Sequence, residues 1–133
     1  MFEQVLNTLP NFAMYFGAAI VLLVVFLIIY AFITPYDELT LIRAGNTAAA
    51  VSLSGTFIGF ALPIAFAVVS SHNIFIMLTW SAIACVIQLL VFLVARLLLP
   101  QLNQDIPADK VATGIFLAAL SIGVGIINAA CLV

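Results

Sequence analysis

The sequence predicts an all-α membrane protein in which four transmembrane helices form two parallel-duplicated helical hairpins, with assembly into an oligomer. Two observations lead to this fold class. Apolar residues make up 67% of the 133 residues and charged residues only 6%, whereas soluble domains carry about 25% charged residues. The apolar residues also gather into four uncharged runs, each longer than the roughly 20 residues that a helix needs to cross a bilayer core. The runs cover residues 12–33, 47–71, 74–95 and 111–133, and we treat residues 1–133 as a single domain.

The first run is interpreted as a retained helix. Only Glu3 precedes it as a charged residue, so it lacks the basic start of a signal peptide, and its apolar core is longer than the usual 7–15 residues. None of the runs alternates apolar and polar residues as the strands of a membrane barrel do. Helices are therefore expected throughout.

The linkers are short and predict an up-down-up-down bundle. Thr34-Pro35 followed by Asp37 is typical of a helix start, and it predicts a short helix from Pro35 before the second span. Gly45 is expected to end that helix. His72 and Asn73 form the turn between the second and third spans.

Basic residues predict the orientation. Arg43, Arg96 and Lys110 all fall on one side of the bundle, and the other side has none. The positive-inside rule places that side in the cytoplasm. Both termini and the turn at His72 then lie on the opposite, outer side of the membrane.

An internal repeat supports the duplication. Residues 41–69 align with 105–133 at a shift of 64, with eight identities that include Gly59 with Gly123. The units cover about 12–71 and 75–133. Since each holds two spans, both units point the same way, and their axis lies along the membrane normal.

Small residues predict where the helices pack. Membrane helices associate where Gly and Ala allow close backbone contact, and the second span carries a GxxxG motif. We expect the second and fourth spans to meet at the centre; the alternative is that such residues are simply common in membrane helices. The predicted packing residues are Gly55, Gly59, Ala119, Gly123, Gly125 and Ala129.

The spans offer little for catalysis. No span has an ionisable residue at its middle, the usual mark of an ion path, and Cys85 and Cys131 are interpreted as apolar packing residues. No enzyme, metal, cofactor or nucleic-acid site is predicted. Neutral polar residues serve either as hydrogen bonds between helices or as a polar seam through an oligomer. The candidates for this seam are Asn46, Thr47, Gln88 and Asn128.

Three segments resemble the YjfL-like family of uncharacterised bacterial inner-membrane proteins. They read ITPYDELTLIRAGNTAAAVSLSGTFIGFALPIA, IACVIQLLVF and GIINAAC. The resemblance covers essentially the whole chain. It implies a location in a bacterial inner membrane, so that both termini are expected in the periplasm, together with four spans. By association alone, it implies peripheral partners of the PspA-like or SPFH type.

Two functions are expected from these observations. The first is a non-enzymatic, oligomeric component of membrane or envelope maintenance, which contacts partners through Asp37, Glu38 and Arg43 in the first long loop. The alternative is a small oligomeric channel or transporter for ions or small polar solutes. Lipid handling between helices is a third, weaker option.

Overall fold

The computed structural model describes residues 1–132, so the end of the fourth run and the repeat pair of Val69 with Val133 lie outside the described residues. The all-α prediction is confirmed, because these residues form helices and no strand. Four of the helices are long and apolar enough to cross a membrane. The helices are α1 (Phe2–Ile33), α2 (Glu38–Arg43), α3 (Thr47–Ser70), α4 (Ile74–Leu98), α5 (Leu102–Asp105) and α6 (Val111–Ala130).

Helix α1 begins ten residues before the apolar run that predicts it. Its 32 residues correspond to about 48 Å, longer than a bilayer core of about 30 Å. The added turns are polar in part, each of their residues is exposed, and the helix continues through Pro10. Hydropathy marks only the segment that can lie in hydrocarbon, whereas helical hydrogen bonds extend beyond it. Only Phe26 and Tyr30 of this helix are buried.

Helix α2 begins at Glu38 and not at Pro35 as predicted. Asp37 is the N-cap, and its carboxylate accepts a hydrogen bond from the Thr40 backbone N–H at 3.3 Å. Thr34 instead caps the end of α1. The predicted break is confirmed at Gly45, whose φ of +88° lies in the left-handed region that glycine adopts without penalty.

The two long linkers lie at the same end of the bundle, as the antiparallel arrangement requires. The Asn46 side-chain amide donates to the Ile106 carbonyl at 2.9 Å, which joins residues 34–46 to residues 99–110. We call this the loop end and the opposite end, with residue 1 and the turn at residues 71–73, the terminal end. Arg43, Arg96 and Lys110 therefore all belong to the loop end. Which compartment it faces stays a prediction.

The two long linkers close with the same turn, 64 residues apart. The Gly45 N–H donates to Ile42 O at 3.0 Å, and the Asp109 N–H donates to Ile106 O at 3.1 Å. Both turn residues have positive φ, +88° and +60°, a conformation that Asp tolerates better than most residues. This recurrence favours the duplication of hairpins, which stays a prediction.

Candidate functional site

The closest helix pair is α3 with α6, and small residues line both sides of the contact. In each helix they recur at intervals of four, three and four residues, a spacing that keeps them on one helical face. All eight are buried. They are Ala48, Ser52, Gly55 and Gly59 on α3, and Gly114, Ala118, Ser121 and Gly125 on α6.

Glycine is required where the two backbones touch. A methyl group on Gly114 would lie 2.6 Å from the Ala48 carbonyl oxygen, and one on Gly59 would lie 2.8 Å from Gln88 Nε2 and against the Ser121 backbone. These separations are shorter than ordinary van der Waals contacts. The helices therefore pack backbone against backbone. They run parallel, because residues early in α3 contact residues early in α6, and later residues contact later ones.

Pro63 affects the contact between Gly59 and Gly125. Proline has no N–H, so the Gly59 carbonyl four residues earlier loses its usual helical donor. That carbonyl lies against Gly125, in the space that a Cβ at position 125 would fill. A side chain there would clash with the α3 backbone.

The structure departs from the predicted packing set at two positions on α6. Gly55, Gly59, Gly125 and Ala129 are buried. Ala119 is exposed, and a Cβ on Gly123 would meet nothing within 4 Å. The prediction carried the α3 motif to α6 at the repeat shift of 64, whereas the packed faces are offset by 66. Two residues turn a helix by about 200°, so the transferred motif points away from α3.

Three of the four predicted polar residues are buried and bond to other parts of the chain. Asn46 joins the two linkers and also caps α3, accepting from Ala49 N–H at 2.8 Å. Gln88 of α4 donates to Ser121 O at 3.1 Å, and Asn128 of α6 donates to Ala84 O at 3.5 Å. Thr47 is exposed and does not join them. These amides therefore connect helices within one chain.

A second set of polar groups lies deeper in the core. The Thr56 hydroxyl is 3.5 Å from the Ser121 hydroxyl and donates to the Tyr30 hydroxyl at 3.4 Å. On α4, Gln88 Oε1 and Ser81 Oγ are also buried, and they have no hydrogen-bond partner among the described residues. From the sequence, Thr56 and Ser121 are recognisable only as small polar residues. Their mutual contact depends on the helix register.

The linker between α5 and α6 caps α3 from outside. The Asp109 carboxylate accepts from the Ala48 backbone N–H at 2.9 Å. Asp105 accepts from the Thr113 hydroxyl at 3.1 Å and lies 3.4 Å from the Lys110 ammonium. Two carboxylates thus fix the first turns of both inner helices at the loop end.

A cavity of about 450 Å³ lies at the loop end beside α2. Its lining residues come from α1, α2, α3 and the segment between the first two helices, and they mix polar with aliphatic side chains. They are Leu27, Ala31, Thr34, Pro35, Tyr36, Asp37, Glu38, Leu39 and Leu53.

Glu38 is the buried carboxyl group of this cavity. Its side chain is only 5% exposed, and Oε1 accepts from the Thr34 hydroxyl at 2.7 Å. Burial raises the pKa of Glu38 to about 7, and the neighbouring Asp37 carboxylate adds to the rise. The Tyr36 pKa is raised as well, first by burial and then by Glu38.

The three predicted loop contacts are therefore not equivalent. Asp37 and Arg43 are exposed, whereas Glu38 is buried, with its side chain turned inward to Thr34. The contact of these residues with a partner stays a prediction. Across residues 1–132, no three His, Cys, Asp or Glu side chains come together as a metal site would require.

Comparison with known proteins places this architecture in a family. Residues 4–132 match the family described as Domain of Unknown Function (DUF350). The chain belongs to this family. It is 39% identical over 129 residues to the UPF0719 inner membrane protein YjfL of Escherichia coli (strain K12), covering 97% of this chain and 98% of that one. It is 27% identical to the UPF0719 transmembrane protein YshE of Bacillus subtilis, covering 93% and 94%. No solved structure matches.

The predicted family resemblance is confirmed, and with it the assignment as a membrane protein. The two UPF0719 relatives carry the words inner membrane or transmembrane in their names, and this chain has four helices of membrane-spanning length and hydropathy. Neither name states an activity.

Proposed function

We propose that this DUF350 protein is a non-enzymatic, multi-pass component of a bacterial inner membrane, which oligomerises and offers its loop end to peripheral proteins in the cytoplasm. The observation that carries this proposal is that Asn46, Gln88 and Asn128 each bond within the chain. Few polar side chains of the spans are therefore left to line a pore between subunits, and the outward faces of the spans are apolar.

The loop end supplies the surface for a partner. Asp37 and Arg43 lie at the two ends of α2 and are exposed. Proteins of the PspA-like or SPFH type, which act at the membrane surface, are the partners that we propose. Contact between copies of the chain is proposed on the open face of α6, where Ala119 and Gly123 allow another helix to approach closely.

Crosslinking in mild detergent, followed by mass spectrometry, tests both parts. We expect an oligomer and a co-purified peripheral protein, and we expect that protein to be lost in Arg43→Glu. Asp37→Asn removes the exposed charge while its amide oxygen can still cap α2. Glu3→Gln, at the terminal end, is the matched control. A monomer with no crosslinked partner contradicts the proposal.

The second candidate function is a small channel or transporter, and one observation favours it. Gln88 Oε1 and Ser81 Oγ lie within the membrane-spanning part of α4 and have no partner among the described residues. Buried polar groups are normally paired, so these atoms are suited to contact a water or solute. Flux from proteoliposomes that is lost in Gln88→Leu and retained in the exposed Thr79→Val favours transport; Asn46→Ala is informative only where the fold survives. A tight bilayer contradicts transport.

A further inference from the structure

The cavity beside α2 holds two polar oxygens that the protein leaves unpaired. Glu38 Oε2 and the Tyr36 hydroxyl are buried without a hydrogen-bond partner among the described residues. Glu38 is 5% and Tyr36 8% exposed, and both line the cavity. Leaving such groups unpaired is costly, which makes a donor from outside the chain favourable at this position.

The charge of the lining selects a cation. Asp37 and Glu38 are both carboxyl residues, and no Lys, Arg or His is among the lining residues. A carboxylate only accepts hydrogen bonds, so the site favours a group that brings N–H donors over one that brings acceptors alone, such as free phosphate or another carboxylate. A divalent metal is disfavoured because no third His, Cys, Asp or Glu joins the pair.

The shape of the surroundings selects an amphiphile over a free ion. A second hollow of about 360 Å³ shares Leu27 and Leu53 with the cavity and continues along α3 to Phe57 and Ile58. Both of these last side chains are exposed on a membrane-spanning helix, where hydrocarbon surrounds them. The two hollows therefore connect a negatively charged end at the membrane surface to an apolar track that runs into the bilayer.

We propose that this cavity binds a lipid with a primary ammonium headgroup, which donates to Glu38 Oε2 and the Tyr36 hydroxyl while an acyl chain lies along Leu53 and Phe57. Thr34 holds the other carboxylate oxygen at 2.7 Å and so orients Glu38 toward the headgroup. This site goes beyond the proposed partner contacts, because its hydrogen-bond acceptors are on Glu38 and Tyr36, which are buried.

Phosphatidylethanolamine and phosphatidylcholine with identical acyl chains form the matched test pair. Both headgroups are zwitterionic and contain a cationic nitrogen, but only the nitrogen of the first has N–H donors. Purified, delipidated full-length protein is incubated with equal amounts of the two lipids at pH 8, and retained lipid is counted by native mass spectrometry. Because hydrogen bonds to an ionised group are the strong ones, we expect the wild type to prefer the ethanolamine lipid by about tenfold.

Two variants assign the preference to the cavity. Glu38→Gln removes the charge with little change in shape, and Tyr36→Phe removes only the unpaired hydroxyl; both should lower the preference, the first to near equality. Glu3→Gln at the terminal end should keep it. Circular dichroism checks that each variant is folded, and Tyr36→Phe keeps the test valid where Glu38→Gln does not fold.

Three results would overturn the proposal. One is equal retention of the two lipids by the wild type, and another is an undiminished preference in both cavity variants. The third is displacement of the lipid by free ethanolamine at matched concentration, which would assign the site to a soluble amine and leave the apolar hollow without a role. None of these depends on a protein partner, so failure here is distinct from failure of the proposed function.

Discussion

Replacing Gly125 by alanine adds one methyl group at a point where the backbones of α3 and α6 touch. That methyl would meet the Gly59 carbonyl carbon and Cα at 2.8 Å. Both are backbone atoms, so no side-chain rotation can relieve the clash. Overpacking in well-packed interiors costs about 1–3 kcal/mol, and we expect a loss near the upper end, about 3 kcal/mol.

Gly123→Ala is the matched control, two residues away on the same helix. Its methyl group would meet nothing within 4 Å, and alanine keeps the open face of α6 small. Both variants gain the same helix propensity, about 1 kcal/mol in water. The difference in unfolding free energy between them therefore isolates the packing contribution.

Unfolding in mixed micelles with increasing SDS measures this difference, followed by helical circular dichroism and by the fluorescence of Trp80. We expect Gly125→Ala to unfold at a clearly lower SDS fraction than the wild type and Gly123→Ala to unfold at the same fraction or a higher one. Equal midpoints for the two variants would refute the backbone contact between α3 and α6.

Further outcomes are expected at the loop end. Asn46→Leu removes the N-cap hydrogen bond of α3 and the hydrogen bond to Ile106, so it should lower the free energy of unfolding by about 2–3 kcal/mol. Thr47→Ala, at the exposed neighbour, should change it little, and similar losses in both variants would contradict the role of Asn46. The folded pKa of Glu38 is raised from 4.5 to about 7, so its stabilising effect is complete below pH 4.5 and declines as the pH rises to 7, by on the order of 3 kcal/mol. The melting temperature of the wild type should fall over this pH range and that of Glu38→Gln should not, and parallel curves for the two would contradict this. In cells, an impermeant maleimide should label His72→Cys and not Arg43→Cys in a chain without other cysteines, and the reverse pattern would invert the predicted orientation.

Hydropathy predicts the spans well because hydrocarbon imposes one requirement on every residue of a run. Apart from the early start of α1 and the end of α4 at Leu98, the four long helices match the predicted runs to within two residues as far as residue 132. Hydropathy does not predict the start of α1 at Phe2 or of α2 at Glu38, because both starts lie outside hydrocarbon. There, local caps such as Asp37 decide where a helix begins.

The packed face of α6 could have been found in the sequence by a different route. Spacing of small residues within each helix, as in Gly114, Ala118 and Gly125, identifies the buried face. The repeat shift instead selects Ala119 and Gly123, because it preserves chain position and not the direction of a side chain. Sequence repeats locate equivalent turns, such as those at residues 45 and 109, more reliably than equivalent contacts.

The candidate cavity was not predicted because it depends on one side-chain direction. Asp37 and Glu38 are adjacent acidic residues at the start of an interfacial helix, and sequence treats them alike. In the fold, Asp37 caps the helix from solvent while Glu38 turns toward Thr34. Only the arrangement of α1 against α2 and α3 distinguishes them.

Magic-angle-spinning NMR of the protein in lipid bilayers, with ¹³C-labelled glycine, tests the contact between the inner helices most directly. The chain has only 7 glycines, so cross peaks are few, and Gly123→Ala, whose methyl group would meet nothing within 4 Å, identifies the Gly123 signals without disturbing the packed face. We expect a strong through-space cross peak between Gly59 and Gly125, and none from Gly123 to any glycine of α3. Absence of the first peak, or its replacement by one between Gly59 and Gly123, would contradict the account.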